Sequence, residues 1–299
     1  MKNNFLFALS LLLSLLGGKS LSAQKNPANY NWLHPEKVWV LEDTLNEISG
    51  LSMTADNAHL LEVEDETGNV YQLNPTTMTL QTSVPFWKEG DYEGVEAVGD
   101  SWYVVKNTGT IYAIHHPCTP QQETIKYNTL LTDHSDVEGL GYDPIRHALL
   151  LACKASSTVG GGSTEERAVF AFNLSTHTLD TVPFLVFNQA AVQAYLDTCA
   201  QKPAMEKINE IFSEEAFSFH PTAIAVHPLN GHLYLSSSKG NLLFVANREG
   251  HILHIIKLPK TFHRQPEGIC FDNHGNLYIS NEKRKDNPAC IVMYRYLVE

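Results

Sequence analysis

Apolar residues along this chain come in short runs bounded by Gly, Pro, Asn and Asp, the pattern of strands and turns. One stretch shows the unit clearly. Gly139 to Asp143 reads as a first strand, His147 to Cys153 as a second, Ala168 to Leu174 as a third and Thr178 to Phe187 as a fourth, with Pro144 and the loop at Gly160 to Ser163 between them. The same order recurs behind a repeated phrase. Its copies are Glu47-Ile48-Ser49-Gly50-Leu51, Asp91-Tyr92-Glu93-Gly94-Val95, Asp136-Val137-Glu138-Gly139-Leu140, His220-Pro221-Thr222-Ala223-Ile224 and Gln265-Pro266-Glu267-Gly268-Ile269. The small residue returns after 44, 45, 84 and 45 positions, at Gly50, Gly94, Gly139, Ala223 and Gly268. A period near 45 residues is that of a propeller blade, and the 84 is one period plus an insertion.

Five copies predict an all-β, five-bladed β-propeller, in preference to six blades. Second and third strands are legible at 60–63 and 70–73, 102–105 and 110–114, and 233–236 and 242–245. A fourth strand follows the last of these pairs at 252–258. The last copy has only 277–280 and 291–297 after its phrase, so its blade is one strand short. The strand-like run Lys37 to Glu42 supplies it from the N-terminal side and closes the ring, which removes the exposed sheet edges. The insertion at about 188–219 changes period. Val192, Tyr195, Leu196 and Cys199, then Met205, Ile208 and Phe212 after Pro203, follow helical spacing and predict two short helices packed on one face of the ring. Decoration explains them more simply than a lid.

The ends and the charge add constraints. Lys2, the apolar run to Leu16 and small residues to Ala23 have the form of a secretory signal, residues 1–23. A linker over 24–35 and a single propeller domain over 36–299 follow, exported to the periplasm or cell envelope of a Gram-negative bacterium. No later apolar stretch is long enough to span a membrane. The net charge of −12, which becomes −14 without Lys2 and Lys19, argues against nucleic acid or an anionic membrane as partner. A monomer is expected, with an unidentified protein or small molecule bound at one propeller face. Five cysteines without CxxC spacing do not make a disulfide framework or a thiolate zinc site. Cys153 and Cys270 read as small buried hydrophobes.

The phrases Glu47 to Ser52, Gly90 to Glu96, Asp136 to Leu140 and Gln265 to Ile269, with Leu277 to Glu282, resemble the SdiA-regulated (YjiK-like) bacterial envelope proteins. The resemblance implies a propeller distantly related to NHL-repeat proteins, with a bound calcium ion and no established reaction. The helical insertion and the Thr222-Ala223 pair in place of Glu-Gly depart from the family pattern.

The phrase also carries chemistry. First strands of a propeller line its channel, so Ser49, Glu93, Glu138, Thr222 and Glu267 are expected to form one ring. Glu47, Asp91, Asp136, His220 and Gln265, two residues earlier, are expected to share their direction. Crowded carboxylates raise one another's pKa or take a counter-ion. Neither ring position carries Lys or Arg, which leaves His220 as the one cation within them. A hard cation suits the oxygens, and calcium accepts six to eight in loose geometry. Glu93, Glu138, Glu267, Ser49 and Thr222 are therefore the candidate calcium ligands, the ion lying nearer the second, third and fifth blades. The plain alternative is that these acids are solvated turn residues.

The ends of the second strands carry more polar residues, among them Lys106, Lys154 and Lys239. Around the same mouth Glu47, Asp65, Asp91, Asn107, Asp136, Asn281 and Glu282 would form a pocket for an anionic or sugar-like ligand. Hairpin turns explain these residues about as well. Two functions remain open. One is a calcium-binding scaffold or binding module, and the other is a lactonase- or phosphoesterase-like hydrolase using the channel ion as Lewis acid. No GxSxG, HExxH or P-loop sequence is present, and no catalytic residue is assigned.

Overall fold

A computed structural model describes residues 27–155, 157–159, 165–199, 205–213 and 217–298. The signal segment read at 1–23 and the Gly160–Ser163 loop lie outside the described residues. Among the described residues twenty-one strands form five sheets, one per blade, and two α-helices lie between blades III and IV. Blade I holds β2 (Ile48–Met53), β3 (Leu60–Glu64), β4 (Asn69–Leu73) and β5 (Leu80–Pro85). Blade II holds β6 (Tyr92–Val98), β7 (Ser101–Lys106), β8 (Ile111–His115) and β9 (Glu123–Tyr127). Blade III holds β10 (Val137–Asp143), β11 (Ala148–Cys153) and β12 (Glu166–Asn173), with β13 (Thr178–Leu179) and β14 (Leu185–Asn188) sharing the outer edge. Blade IV holds β15 (Pro221–Val226), β16 (Leu233–Ser237), β17 (Leu242–Ala246) and β18 (Ile252–Lys257). Blade V holds β19 (Pro266–Phe271), β20 (Leu277–Asn281) and β21 (Cys290–Tyr294), and β1 (Lys37–Val40) pairs antiparallel with β21 as its outer strand.

The inner strands touch in the cyclic order β2, β6, β10, β15, β19 and back to β2, so the ring has five blades and is closed. Each seam between blades is one buried apolar cluster. Leu61 and Val63 meet Val95 and Val104 between blades I and II, for example, and Leu51 and Leu60 meet Cys270 and Tyr278 between V and I. A middle strand is covered on both faces. This is why the second strands read as unbroken apolar runs and not as alternating ones.

Gly94 shows what the small residue of the phrase is for. A Cβ there would lie 2.6 Å from the Leu140 Cβ of the next blade, and one at Gly50 would lie 2.6 Å from the Gly94 Cα. Inner strands of a five-bladed ring approach too closely for a larger residue at these positions.

Three expectations change. The fourth strand of blade III, read as continuous from 178 to 187, is split, and Pro183, which has no N–H to pair, lies in the gap. Helices α1 (Gln189–Thr198) and α2 (Glu206–Phe212) do not simply lie on one face of the ring. Their Val192, Leu196, Ile208 and Phe212 are buried in the seam between blades III and IV, with Leu150 and Phe187 of one and Leu235 and Phe244 of the other. The segment before β1 is more than a linker. Tyr30 and Trp32 are buried between blades IV and V, and the Tyr30 hydroxyl donates to the Gly275 carbonyl at 2.6 Å.

All five cysteines are free thiols, with Cys153 and Cys270 in the core as expected. Among the described residues no helix is long and apolar enough to cross a membrane.

Candidate functional site at the channel mouth

In every blade the register between first and second strand slips by one residue within the repeated phrase. Ile48 faces Glu64 but Gly50 faces Val63, and Tyr92 faces Lys106 but Gly94 faces Val105. The same slip occurs from Val137 to Gly139, from Pro221 to Ala223 and from Pro266 to Ile269. Ser49, Glu93, Glu138 and Thr222 are thus the extra residues of β-bulges, and Glu267 lies within the fifth. A bulge re-aims its side chain, here at the same point of each inner strand.

The three bulge acids, Glu93, Glu138 and Glu267, form one electrostatic group. Burial raises the Glu93 carboxyl to about 10, helped by Glu138, Asp91 and Glu267. Glu267 is pushed up to about 8, by burial first and then by Glu138 and Glu282. Thr222 differs from the acids. Its buried hydroxyl donates to the Pro266 carbonyl at 3.0 Å and bonds Ser236 at 2.9 Å, so it is occupied in joining blades IV and V. Ser49 faces its own strand start, bonding the Glu47 carbonyl at 3.4 Å.

The pairing register selects one residue from each of the polar second-strand ends and sets them in a further ring. The residues just past the partners of the pre-bulge positions are Asp65, Asn107, Lys154, Ser238 and Glu282. In blades II, III and V the corner residues meet the strand-start residues of their own blades. Asn107 donates its amide to Asp91, Lys154 lies 3.9 Å from Asp136, and Gln265 donates to Glu282. In blade I the corresponding pair is Glu47 with Asp65, two acids. Burial raises the Asp65 carboxyl, and Glu47, Glu66 and Asp91 raise it further. The corners also lace the blades together, with Tyr92 N–H donating to the Asp65 carbonyl and Val137 N–H to that of Asn107.

Three features of the site differ from the sequence reading. Lys154 reaches Glu138 at 2.8 Å, so this carboxylate has a cation from the second strand although neither ring position carries one. His220 does not supply charge. Burial lowers its pKa, and Arg167, Lys239 and Lys154 lower it further. Asn281 points into its blade, within 3.3 Å of the His263 ring, and leaves the mouth position to Glu282. Burial pushes Glu282 up to about 7, with Glu47 and Asp65 adding to the rise.

Two buried oxygens of the mouth residues, Asp65 Oδ1 and Asn107 Oδ1, have no hydrogen-bond partner among the described residues. Oxygen donors with free lone pairs beside crowded carboxylates fit a hard cation such as calcium. No group of three or more His, Cys, Asp or Glu converges closely enough to hold a metal among the described residues. The other half of the mouth is basic. A cavity of about 360 Å³ is lined there by Glu138, Lys154, Lys239, Arg264, Glu267 and Arg284, among others. The opposite end of the channel opens into a cavity of about 540 Å³ whose walls include Met53, Val98, Tyr142, Leu229 and Phe271. Buried Glu96, accepting from Ser52 at 3.0 Å, faces into it.

These features define a five-bladed propeller whose channel opens on an ion-rich polar mouth. Within that class, residues 192–284 match the model of the SdiA-regulated family. The match runs from the helical insertion through blade IV into blade V. It bears out over that stretch the likeness read from the repeated phrases. No curated protein matches the sequence.

Among solved structures, the chain is similar to the hydrazine synthase of Kuenenia stuttgartiensis, with a TM-score of 0.50, 13% identity and 84% of each chain covered. A luciferin-regenerating enzyme gives 0.49 at 10% identity over 88% of this chain and 95% of that one. The PQQ-bound aldose sugar dehydrogenase of Streptomyces coelicolor gives 0.46 at 10% identity, over 88% and 99%. At such identities the likeness concerns the fold alone.

Proposed function

We propose that this protein is an exported, calcium-binding propeller that serves as a binding module, its charged channel mouth receiving the ligand or partner. The observation that carries the calcium reading is the acid pair of blade I. Where Asp91 has Asn107, Asp136 has Lys154 and Gln265 has Glu282, Glu47 is set beside Asp65, and Asp65 Oδ1 and Asn107 Oδ1 have no hydrogen-bond partner among the described residues. A divalent cation held by Asp65, Asp91 and Asn107, with Glu47 and Glu93 near it, would supply the positive charge that this sector lacks. The ion would then sit toward blades I and II, because Lys154 already serves Glu138. Export rests on the composition of residues 1–23.

Calorimetric calcium titration and thermal melts with and without chelator test the reading. Calcium should raise the melting temperature, and Asp65→Asn with Asp91→Asn should abolish the rise while leaving the metal-free melt nearly unchanged. Unaltered melts on adding calcium or chelator would remove the ion from the proposal. Turnover of a lactone or phosphoester that Glu138→Gln abolishes in a folded protein would replace the binding reading with a catalytic one.

A further inference from the structure

On a chain of net charge −12, cations gather at one place. Lys260 and Arg264 belong to the loop from β18 to β19, and Arg284 and Lys285 to the loop from β20 to β21. Together with Asn241 and Asn287 they line a cavity of about 320 Å³, and no carboxylate is among its lining residues. None of the four cations forms an ion pair with a described residue within 4.0 Å. Like charges around one hollow repel unless an anion lies between them. The loops are held in this arrangement. Arg284 and Asn287 exchange backbone hydrogen bonds at 3.0 and 3.1 Å, and Asn241 ties the neighbouring loop by donating to the His263 carbonyl at 2.5 Å.

Arg264 and Arg284 are shared with the 360 Å³ cavity described above. That second compartment is of mixed character, with Ser238 and Gln265 beside the carboxylates of Glu138 and Glu267. Such a wall offers acceptors and donors to hydroxyl groups. We propose that the two compartments form one site for a small phosphorylated sugar, the phosphate held by Arg264 and Arg284 with Lys260 and Lys285, the sugar hydroxyls facing Glu138, Glu267, Ser238 and Gln265. Paired guanidinium groups suit a phosphate dianion because each presents two parallel N–H donors. The volumes fall in the range of small-molecule pockets. The site does not require the calcium ion, since none of its cations depends on the acid pair of blade I.

The test is calorimetry in chelator-treated protein with three probes: glucose 6-phosphate, inorganic phosphate and glucose. Glucose 6-phosphate should bind with saturation, inorganic phosphate at least tenfold more weakly and glucose not measurably. Arg264→Ala with Arg284→Ala should weaken glucose 6-phosphate at least tenfold, as should Lys260→Ala with Lys285→Ala. These four side chains are exposed, so the melts of both variants should match that of the parent. Equal binding of phosphate and glucose 6-phosphate would overturn the sugar half of the site. Absence of binding, or full affinity in both double variants, would overturn the whole.

Discussion

Glu62 is a carboxyl in the wrong place for a charge, and removing it should stabilise the protein. It lies at the centre of β3 with none of its surface exposed, and neither oxygen has a hydrogen-bond partner among the described residues. Alternation along the strand places it on the side of Leu60, toward the apolar seam with blade V. Burial raises its pKa well above 4.5, and Glu64 adds to the rise. An unsatisfied buried polar group costs about 1–3 kcal/mol even when neutral. Glu62→Met keeps the side-chain length and removes that cost. At roughly 2–4 °C per kcal/mol for domains slightly smaller than this one, the melt should rise by about 5 °C.

The pH dependence of that gain tests the cause. Below pH 4.5 the folded and unfolded chains both hold the proton. Above it the unfolded chain releases the proton while the folded chain keeps it. The parent therefore loses stability with rising pH until the folded-state pKa is passed. The advantage of Glu62→Met should accordingly widen, by about 1.4 kcal/mol per pH unit at most, between pH 5 and 7. Urea unfolding at both pH values, read as the difference between variant and parent, cancels the contributions of Glu93, Glu96 and Glu267. A variant less stable than the parent, or a gain that is the same at both pH values, would refute the reasoning.

Two further outcomes follow from packing and charge. Gly94→Ala should cost about 1–3 kcal/mol by overpacking, because its Cβ would stand 2.6 Å from that of Leu140; urea unfolding measures it, and a neutral result would show that the inner strands can part. Lys154→Gln should tighten calcium binding in calorimetry, since it frees Glu138 from its ion pair at 2.8 Å and removes a competing positive charge from the mouth. Unchanged affinity would place the ion outside the field of that lysine.

The propeller was legible because its determinants are local and periodic. Five small residues at blade spacing mark the places where inner strands crowd, and turn residues separate runs that are apolar on both faces. The closing strand could be inferred because the last blade lacked one. The split edge of blade III and the depth of Tyr30 were less visible. The first depends on where Pro183 falls relative to the pairing of β12. The second depends on a seam between blades IV and V that only the closed ring creates.

The mouth was legible in composition but not in partnership. Alignment of the phrases marks Glu93, Glu138 and Glu267, and these three share one electrostatic environment. The corner residues are among the second-strand ends the sequence offers, but a shift of one residue decides which side chain faces the mouth and which faces the blade. Asn281 and Glu282 differ by that single step, and the pairing of Pro266 with Asn281 selects Glu282 for the mouth. The same count equates Lys154 with Asn107 and Asp65, residue types with nothing in common as a motif. Their dissimilarity has a physical consequence. Identical corners would give a symmetric ring suited to one ion on the axis. Asp65, Asn107, Lys154, Ser238 and Glu282 instead leave an acidic sector at blades I and II, a compensated one at blade III and, with the loops that carry Arg264 and Arg284, a basic one toward blades IV and V. A mouth divided this way favours a ligand that carries its own charge asymmetry over a single central cation.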